Sequence, residues 1–198
     1  EDDPKVPTNP YGETKLMVEQ ILKWYSQAYG LTSISLRYFN AAGAAKDGSL
    51  GPDYPNPTHL IIRSCLAALG KIKGFQIFGD DYPTPDGTNI RDYIHVLDLA
   101  DVHVLALRKL FARQQTDVFN VGTGHGYSVK EVVAMVKKVS GVDFKAEIGP
   151  RREGDPVQLY ADNRKIKKAF GWQAKYSDLK TIITSAWKWH QAHPEGFE

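Results

Sequence analysis

Apolar positions in this chain follow two different periods. From Pro10 to Tyr29 they recur every three or four residues on two adjoining tracks, Val18, Leu22, Tyr25 and Tyr29 on one and Met17, Ile21, Trp24 and Ala28 on the other. That spacing predicts a helix over 10–29, with Pro10 suited to its first position and Gly30 to its stop. A helix wetted on one side needs only one apolar stripe. The broader arc predicts packing on a sheet on one side and, on the other, on a further helix supplied by a second copy of the protein. "SISLRYFN" (33–40) has the short apolar run of a buried strand. A stretch of 18 residues, "AAGAAKDGSLGPDYPNPT", follows and is rich in Gly and Pro. A loop of that length in a compact chain is functional or disordered as a rule.

The alternation continues to the end. A helix is expected near 58–70, a short strand at "FQIFG" (75–79), a Gly/Pro/Asp-rich connection over 79–89 and a strand at "DYIHV" (92–96). Asp98 is in position to cap a helix that runs to about residue 112. "VFNVG" (118–122) is strand-like, and Ser128 with Glu131 has the spacing of a capping box for a helix over 129–140. A strand near 144–148, a short helix near 163–170 and a last helix near 178–192 complete the chain. Strands alternating with helices predict an α/β fold. There is no internal repeat and no low-complexity segment.

Composition narrows the function classes. A chain of 198 residues with 42% apolar and 24% charged residues is an ordinary soluble globular chain, long enough to bury a core. A net charge of +2, without a block of like charges, argues against a nucleic-acid partner. No apolar run is long enough to span a membrane, and "EDDPKVPTNP" lacks the basic and apolar regions of a signal peptide. The lone Cys65 has no internal disulfide partner, which fits a reducing, cytoplasmic setting. His190 and His193 have no carboxylate or cysteine cluster beside them, so no metal is assigned.

Tyr11 and Lys15 lie one turn apart on one helix face. By themselves they fit either a plain helix surface or an acid/base couple. A free phenol is a poor base near neutral pH, and an ammonium beside it favours the phenolate. "GTGHG" (122–126) is not a dinucleotide fingerprint, because Tyr127 stands where the third glycine would fall and no acidic residue follows at the ribose distance. A tight turn is expected there.

"PYGETK" (10–15), "LRYFNAAGA" (36–44), "RDYIHVLDLAD" (91–101), "NVGTG" (120–124) and "PRREGDP" (150–156) occur in one order. This set resembles the extended short-chain dehydrogenase/reductase family, within it the sugar-nucleotide epimerases, over essentially the whole chain. The resemblance implies the C-terminal part of an extended Rossmann-type fold with a smaller mixed α/β substrate-binding domain. Residues 1–40 would end the NAD-binding part. Residues 41–198 would mainly bind a UDP-sugar, with some segments returning to the Rossmann sheet. A glycine-rich NAD loop and a catalytic Ser or Thr would precede Glu1, so the chain looks like part of a longer enzyme.

The implied activity is NAD-dependent inversion at C4 of a UDP-hexose, UDP-glucose to UDP-galactose and back, through a 4-keto intermediate. Tyr11 would act as the base and Lys15 would hold the nicotinamide ribose. Tyr38 and Phe39 would lie beside the nicotinamide and Asn40 on the nucleotide sugar. His59 and Leu60 would open a helix on the pyrophosphate, through backbone more than side chain. Gln76 and Phe78 would line the uracil pocket, Arg91 and Arg152 would hold the diphosphate, and Asp155 would accept from the uridine ribose. Leu159 would wall the sugar pocket near C2. Arg151 would simply be exposed, and Asp92, Tyr93, His95 and Asp98 would be structural. The 10–29 helix would form a homodimer. Alternatives are a 4-epimerase of another UDP-sugar (an N-acetylhexosamine or xylose/arabinose), a 4,6-dehydratase, or a non-catalytic relative that binds NAD or a nucleotide-sugar.

Overall fold

The computed structural model describes residues 1–7 and 9–197. In chain order these form α1 (Pro10–Tyr29), β1 (Ile34–Tyr38), β2 (Asn40–Ala42), α2 (Leu60–Ala68), β3 (Gln76–Phe78), β4 (Ile90–Arg91), β5 (Tyr93–His95), α3 (Val96–Arg113), β6 (Asp117–Val121), β7 (Tyr127–Ser128), α4 (Val129–Ser140), β8 (Glu147–Gly149), β9 (Gln158–Leu159), α5 (Arg164–Phe170) and α6 (Leu179–Ala192). Four parallel pairings carry the α/β character: β1 with β6, β2 with β5, β3 with β8, and β4 with β9. β4 also takes β7 as an antiparallel neighbour.

Two hydrophobic clusters form the interior. In one, Ile61 and Cys65 of α2, Val132 and Val136 of α4, and Ile182 and Ile183 of α6 meet Phe75, whose ring packs edge-on against Phe144 at 5.4 Å. Burial pushes the Cys65 thiol up to about 12, so it behaves as a small apolar side chain. In the other cluster, Ile94 and Val102 meet Phe119 and Val121 of β6, Ile166 of α5 and Trp172. α4 has its expected capping box: Ser128 Oγ accepts from Glu131 N–H at 3.1 Å, and Ser128 N–H donates to Glu131 at 2.7 Å.

α1 begins where Asn9 Oδ1 accepts from Gly12 N–H (2.8 Å) and stops at Gly30, left-handed at φ 68°. None of its residues is buried. Leu16, Glu19, Leu22 and Ser26 form the half-covered stripe. Met17, Val18, Ile21, Trp24, Tyr25 and Tyr29 are each more than half exposed. A two-pronged ion pair, Arg37 Nε and Nη2 to Glu19 at 2.6 and 2.5 Å, ties the helix to β1.

Three local expectations change. The strand expected over 33–40 breaks at Phe39: its N–H still donates to Val121 of β6 (3.3 Å), while Asn40 N–H donates to Asp92 (3.0 Å). The chain changes neighbours there, and β2 continues into the stretch expected as loop. Asp98 does not cap α3. His95 does, its Nδ1 accepting from Leu97 N–H at 3.1 Å. The buried Asp98 carboxylate instead accepts from Lys175 and Tyr176 N–H and from Ser177 Oγ, holding the approach to α6. The strand near 144–148 is displaced to 147–149.

His95 is structural, as expected. Burial lowers its pKa, and with Nδ1 accepting, Nε2 carries the proton and donates to Ser185 Oγ (3.0 Å).

Asp92 is fully buried and joins four segments. Its carboxylate accepts from Thr123 N–H and Oγ1, Gly124 N–H and Ala161 N–H, at 2.7–3.2 Å. Its carbonyl accepts from Asn40, and its N–H donates to Leu159. The "GTGHG" segment is therefore a tight turn wrapped around an internal carboxylate. A Cβ on Gly122 would stand 2.6 Å from Asp92 Oδ2.

Asp92→Asn would keep the volume but turn an NH2 toward amide donors. The expected loss in the full-length protein is about 2–4 kcal/mol, read as a lowered thermal-unfolding midpoint. An unchanged midpoint would show that the carboxylate is not the joint.

Candidate active site

Tyr11 stands on the first turn of α1, 71% exposed. The Lys15 ammonium lies 5.0 Å from the centre of its ring, so the pair seen in the sequence is a physical contact. The Glu19–Arg37 ion pair places the middle of α1 beside the end of β1. α1 runs back to β1 through a short connection, so Tyr11, eight residues before Glu19, reaches about 12 Å further along the helix, toward the C-terminal end of the β1–β6 pair. Ligands of open α/β sheets bind beyond that end. Tyr38 is exposed there, tilted against His103 at 6.1 Å, and Phe39 is half-buried beside it.

A second group of residues assembles around the turn at 150–156. The β3–β8 pairing sets Gln76 opposite Glu147 and Phe78 opposite Gly149, directly before that turn. Arg152 places its guanidinium 3.9 Å from the centre of the Phe78 ring. On the other side, β4 and β9 set Arg91 opposite Leu159, which is 47% exposed. Asn40 is joined to the same layer through its Nδ2 bond to the Asp92 carbonyl at 2.9 Å. α2 starts at Leu60 behind His59, whose ring is tilted on Tyr54 at 5.1 Å and gives no side-chain cap. Its leading N–H groups therefore have no capping oxygen from that residue, an arrangement open to an anion.

The two arginines differ in their surroundings. Arg91 donates to Asp155 at 2.7 Å and to the Ile90 carbonyl at 2.8 Å, and its side chain is 12% exposed. The second oxygen of Asp155 accepts from Asn89 Nδ2 at 2.9 Å. Both oxygens of the carboxylate expected on a ribose are thus engaged, and Asp155 holds Arg91 in place. Among the described residues, Arg152 has no carboxylate partner and remains exposed over an aromatic ring. Arg151 is not simply exposed, because it is bonded to Asp81. Asn89, which bonds Asp155 beside Arg91, was not among the expected site residues, because it lies at the end of a stretch expected as a connection, just before β4.

Electrostatically, this is a group with one unpaired guanidinium, an aromatic platform and a helix start, a suitable cradle for an aromatic base carrying phosphate. Tyr11 and Lys15 lie apart from this group, on α1. Among the described residues there is no cluster of three or more His, Cys, Asp or Glu side chains arranged to hold a metal ion.

A family model described as the NAD dependent epimerase/dehydratase family matches residues 1–122. A UDP-glucose 4-epimerase of Lacticaseibacillus casei is 51% identical over 197 residues, a match that covers all of this chain and 60% of that protein. The crystal structure of UDP-glucose 4-epimerase from Brucella ovis in complex with NAD is 46% identical, with a TM-score of 0.92 over 95% of this chain and 58% of its own. That of UDP-glucose 4-epimerase from Bifidobacterium longum in complex with NAD+ and UDP is 41% identical, with a TM-score of 0.90, and the match covers 100% of this chain and 59% of its own. The chain spans about 60% of the length of the curated relatives it matches. With the family model covering more than half of its residues, including the Tyr11–Lys15 couple, this chain belongs to the NAD dependent epimerase/dehydratase family.

Proposed function

We propose that this chain carries the acid/base couple and the UDP-sugar-binding residues of a 4-epimerase that uses NAD and interconverts UDP-glucose and UDP-galactose. The observation that carries the reading is the convergence of Phe78, Arg91, Arg152, Asp155 and Leu159, drawn from four separate segments, into one layer. An aromatic face suits the base of a nucleotide, a free guanidinium suits its diphosphate, and an exposed leucine suits a sugar wall.

The residues present fit NAD as well. Tyr38 and Phe39 offer aromatic surface at the strand end, and Lys15 offers donors to ribose hydroxyls. NAD, when bound, supplies an acceptor and donor of hydride for the sugar carbon. Tyr11 would take the proton of the sugar 4-hydroxyl and return it, while the Lys15 ammonium stabilises negative charge on the phenol oxygen. Arg152 would hold the diphosphate while the sugar presents either face. Arg91, fixed by Asp155, would add a second positive charge. His59 and Leu60 would meet the pyrophosphate through backbone N–H groups, Gln76 would border the base, and Asn40 would meet the sugar.

Three measurements test this reading. In the full-length enzyme, Tyr11→Phe should abolish epimerisation and leave UDP affinity nearly unchanged, whereas Arg152→Ala should weaken UDP by roughly ten- to a hundredfold. Full turnover by the phenylalanine variant would overturn the role of Tyr11.

Leucine at 159 is smaller than tyrosine and offers no hydrogen bond to an acetamido group, and leaving that group unpaired is costly. The UDP-glucose/UDP-galactose pair should therefore be preferred, with slower turnover of the N-acetylated pair. Leu159→Tyr should raise that preference and Leu159→Ser should lower it. An unchanged ratio of catalytic efficiencies across the series would remove Leu159 from the pocket wall.

The exposed apolar arc of α1 supports a homodimer through helix-on-helix packing. Sedimentation of the full-length protein should show a dimer at micromolar concentration, and a monomer would count against this use of α1.

A further inference from the structure

Two adjacent arginines in "PRREGD" engage different rings. Arg152 lies over Phe78, and Arg151 lies over Tyr82 with its guanidinium carbon 4.3 Å from the ring centre. The edge of the Arg151 guanidinium is also occupied: Nε donates to Asp81 Oδ1 at 2.6 Å, and Nη2 donates to the Asp81 carbonyl. We propose that Arg151, Asp81 and Tyr82 form a latch that positions Arg152 against the diphosphate of the substrate. The inference rests on the reading of Arg152 as a diphosphate ligand.

The argument is one of anchorage. The segment 82–88 is held by its own hydrogen bonds and by the head of α4. Tyr82 is buried, and its N–H donates to Gly87 at 2.9 Å. Thr84 Oγ1 donates to the Thr88 carbonyl at 2.7 Å. Asp86 accepts from Thr88 N–H and Oγ1 and from Ser128 Oγ at the head of α4, and Lys130 donates to its carbonyl. The arginine turn is tied to this segment at two points. Arg151 grips Asp81 and Tyr82 at one end, and Asn89 and Arg91 grip Asp155 at the other. Arg152 lies between the two ties, one residue from the first.

Gly79 makes the latch possible. The Arg151 stem crosses its backbone so closely that a Cβ there would stand 2.7 Å from Arg151 Cγ and 2.7 Å from the Tyr82 ring. With its fork committed to Asp81 and its face to Tyr82, Arg151 is a positioning residue rather than a phosphate ligand.

The Arg151 and Asp81 side chains are 44% and 71% exposed, so the ion pair adds little stability. Its effect should appear in geometry. The test titrates UDP and uridine into the full-length, NAD-loaded enzyme and measures turnover, for wild type, Arg151→Ala, Arg151→Lys, Asp81→Asn, Arg152→Ala and the double variant Arg151→Ala/Arg152→Ala.

The latch predicts that Arg151→Ala and Asp81→Asn each weaken UDP about three- to tenfold. Uridine affinity and kcat should stay near wild type while KM rises. Arg151→Lys, which keeps the charge but loses the planar fork, should restore only part of the affinity. Arg151→Ala should add nothing further once Arg152 is gone.

Several outcomes would overturn the proposal. Wild-type UDP affinity in Arg151→Ala would do so. So would a loss additive with Arg152→Ala while Asp81→Asn is silent, which would make Arg151 a direct ligand. An equal weakening of UDP and uridine with a lowered melting temperature would indicate general loosening. Unchanged UDP binding in Arg152→Ala itself would instead remove the diphosphate assignment, and the latch with it.

Discussion

One buried carboxylate fixes the geometry on which the candidate site depends. Asp92 draws the 122–124 turn and the Ala161 backbone onto its oxygens, while its own peptide groups hold Asn40 on one side and Leu159 on the other. A charge removed from water is tolerable only with its hydrogen-bonding capacity filled, so these segments cannot drift apart without leaving it unsatisfied. Arg91 precedes Asp92 in the chain, and three candidate substrate residues are placed by this one joint. These positions share one structural joint.

A different regime governs Tyr11 and Lys15. Both sit on a helix with no buried residue, tied to β1 by one ion pair. The turn at 150–156 is clamped by several side chains, whereas α1 leaves an apolar arc exposed. The relatives that match this chain are longer than it is.

Features that depend on near neighbours in sequence were legible before the structure. The 10–29 helix, its stop at Gly30, the capping box of α4 and the Tyr11–Lys15 contact all follow from spacings of three or four residues. Features set by distant partners were not. Nothing local to "SISLRYFN" records that the strand changes neighbours at Phe39. Asp98 sits where a cap belongs, yet residues 175–177 claim its carboxylate. The two-residue strands β4, β7 and β9 are too short to show a period at all. The motif around Arg91 and Arg152 flagged both arginines, but only the fold separates them: one is bound to Asp155 and the other is free over Phe78.

The strand pairings also bear on how such a site can come into being. Residue 34 pairs with 117, 40 with 93, 76 with 147 and 90 with 158. Contacts between segments so remote form slowly, because a long loop must close before any of them is rewarded. None of these pairings joins segments close together in the chain. During synthesis Arg91 is made before its partner Asp155, and Asp92 before Thr123, Gly124 and Ala161. Until the last third of these residues has been made, Arg91 lacks its carboxylate partner.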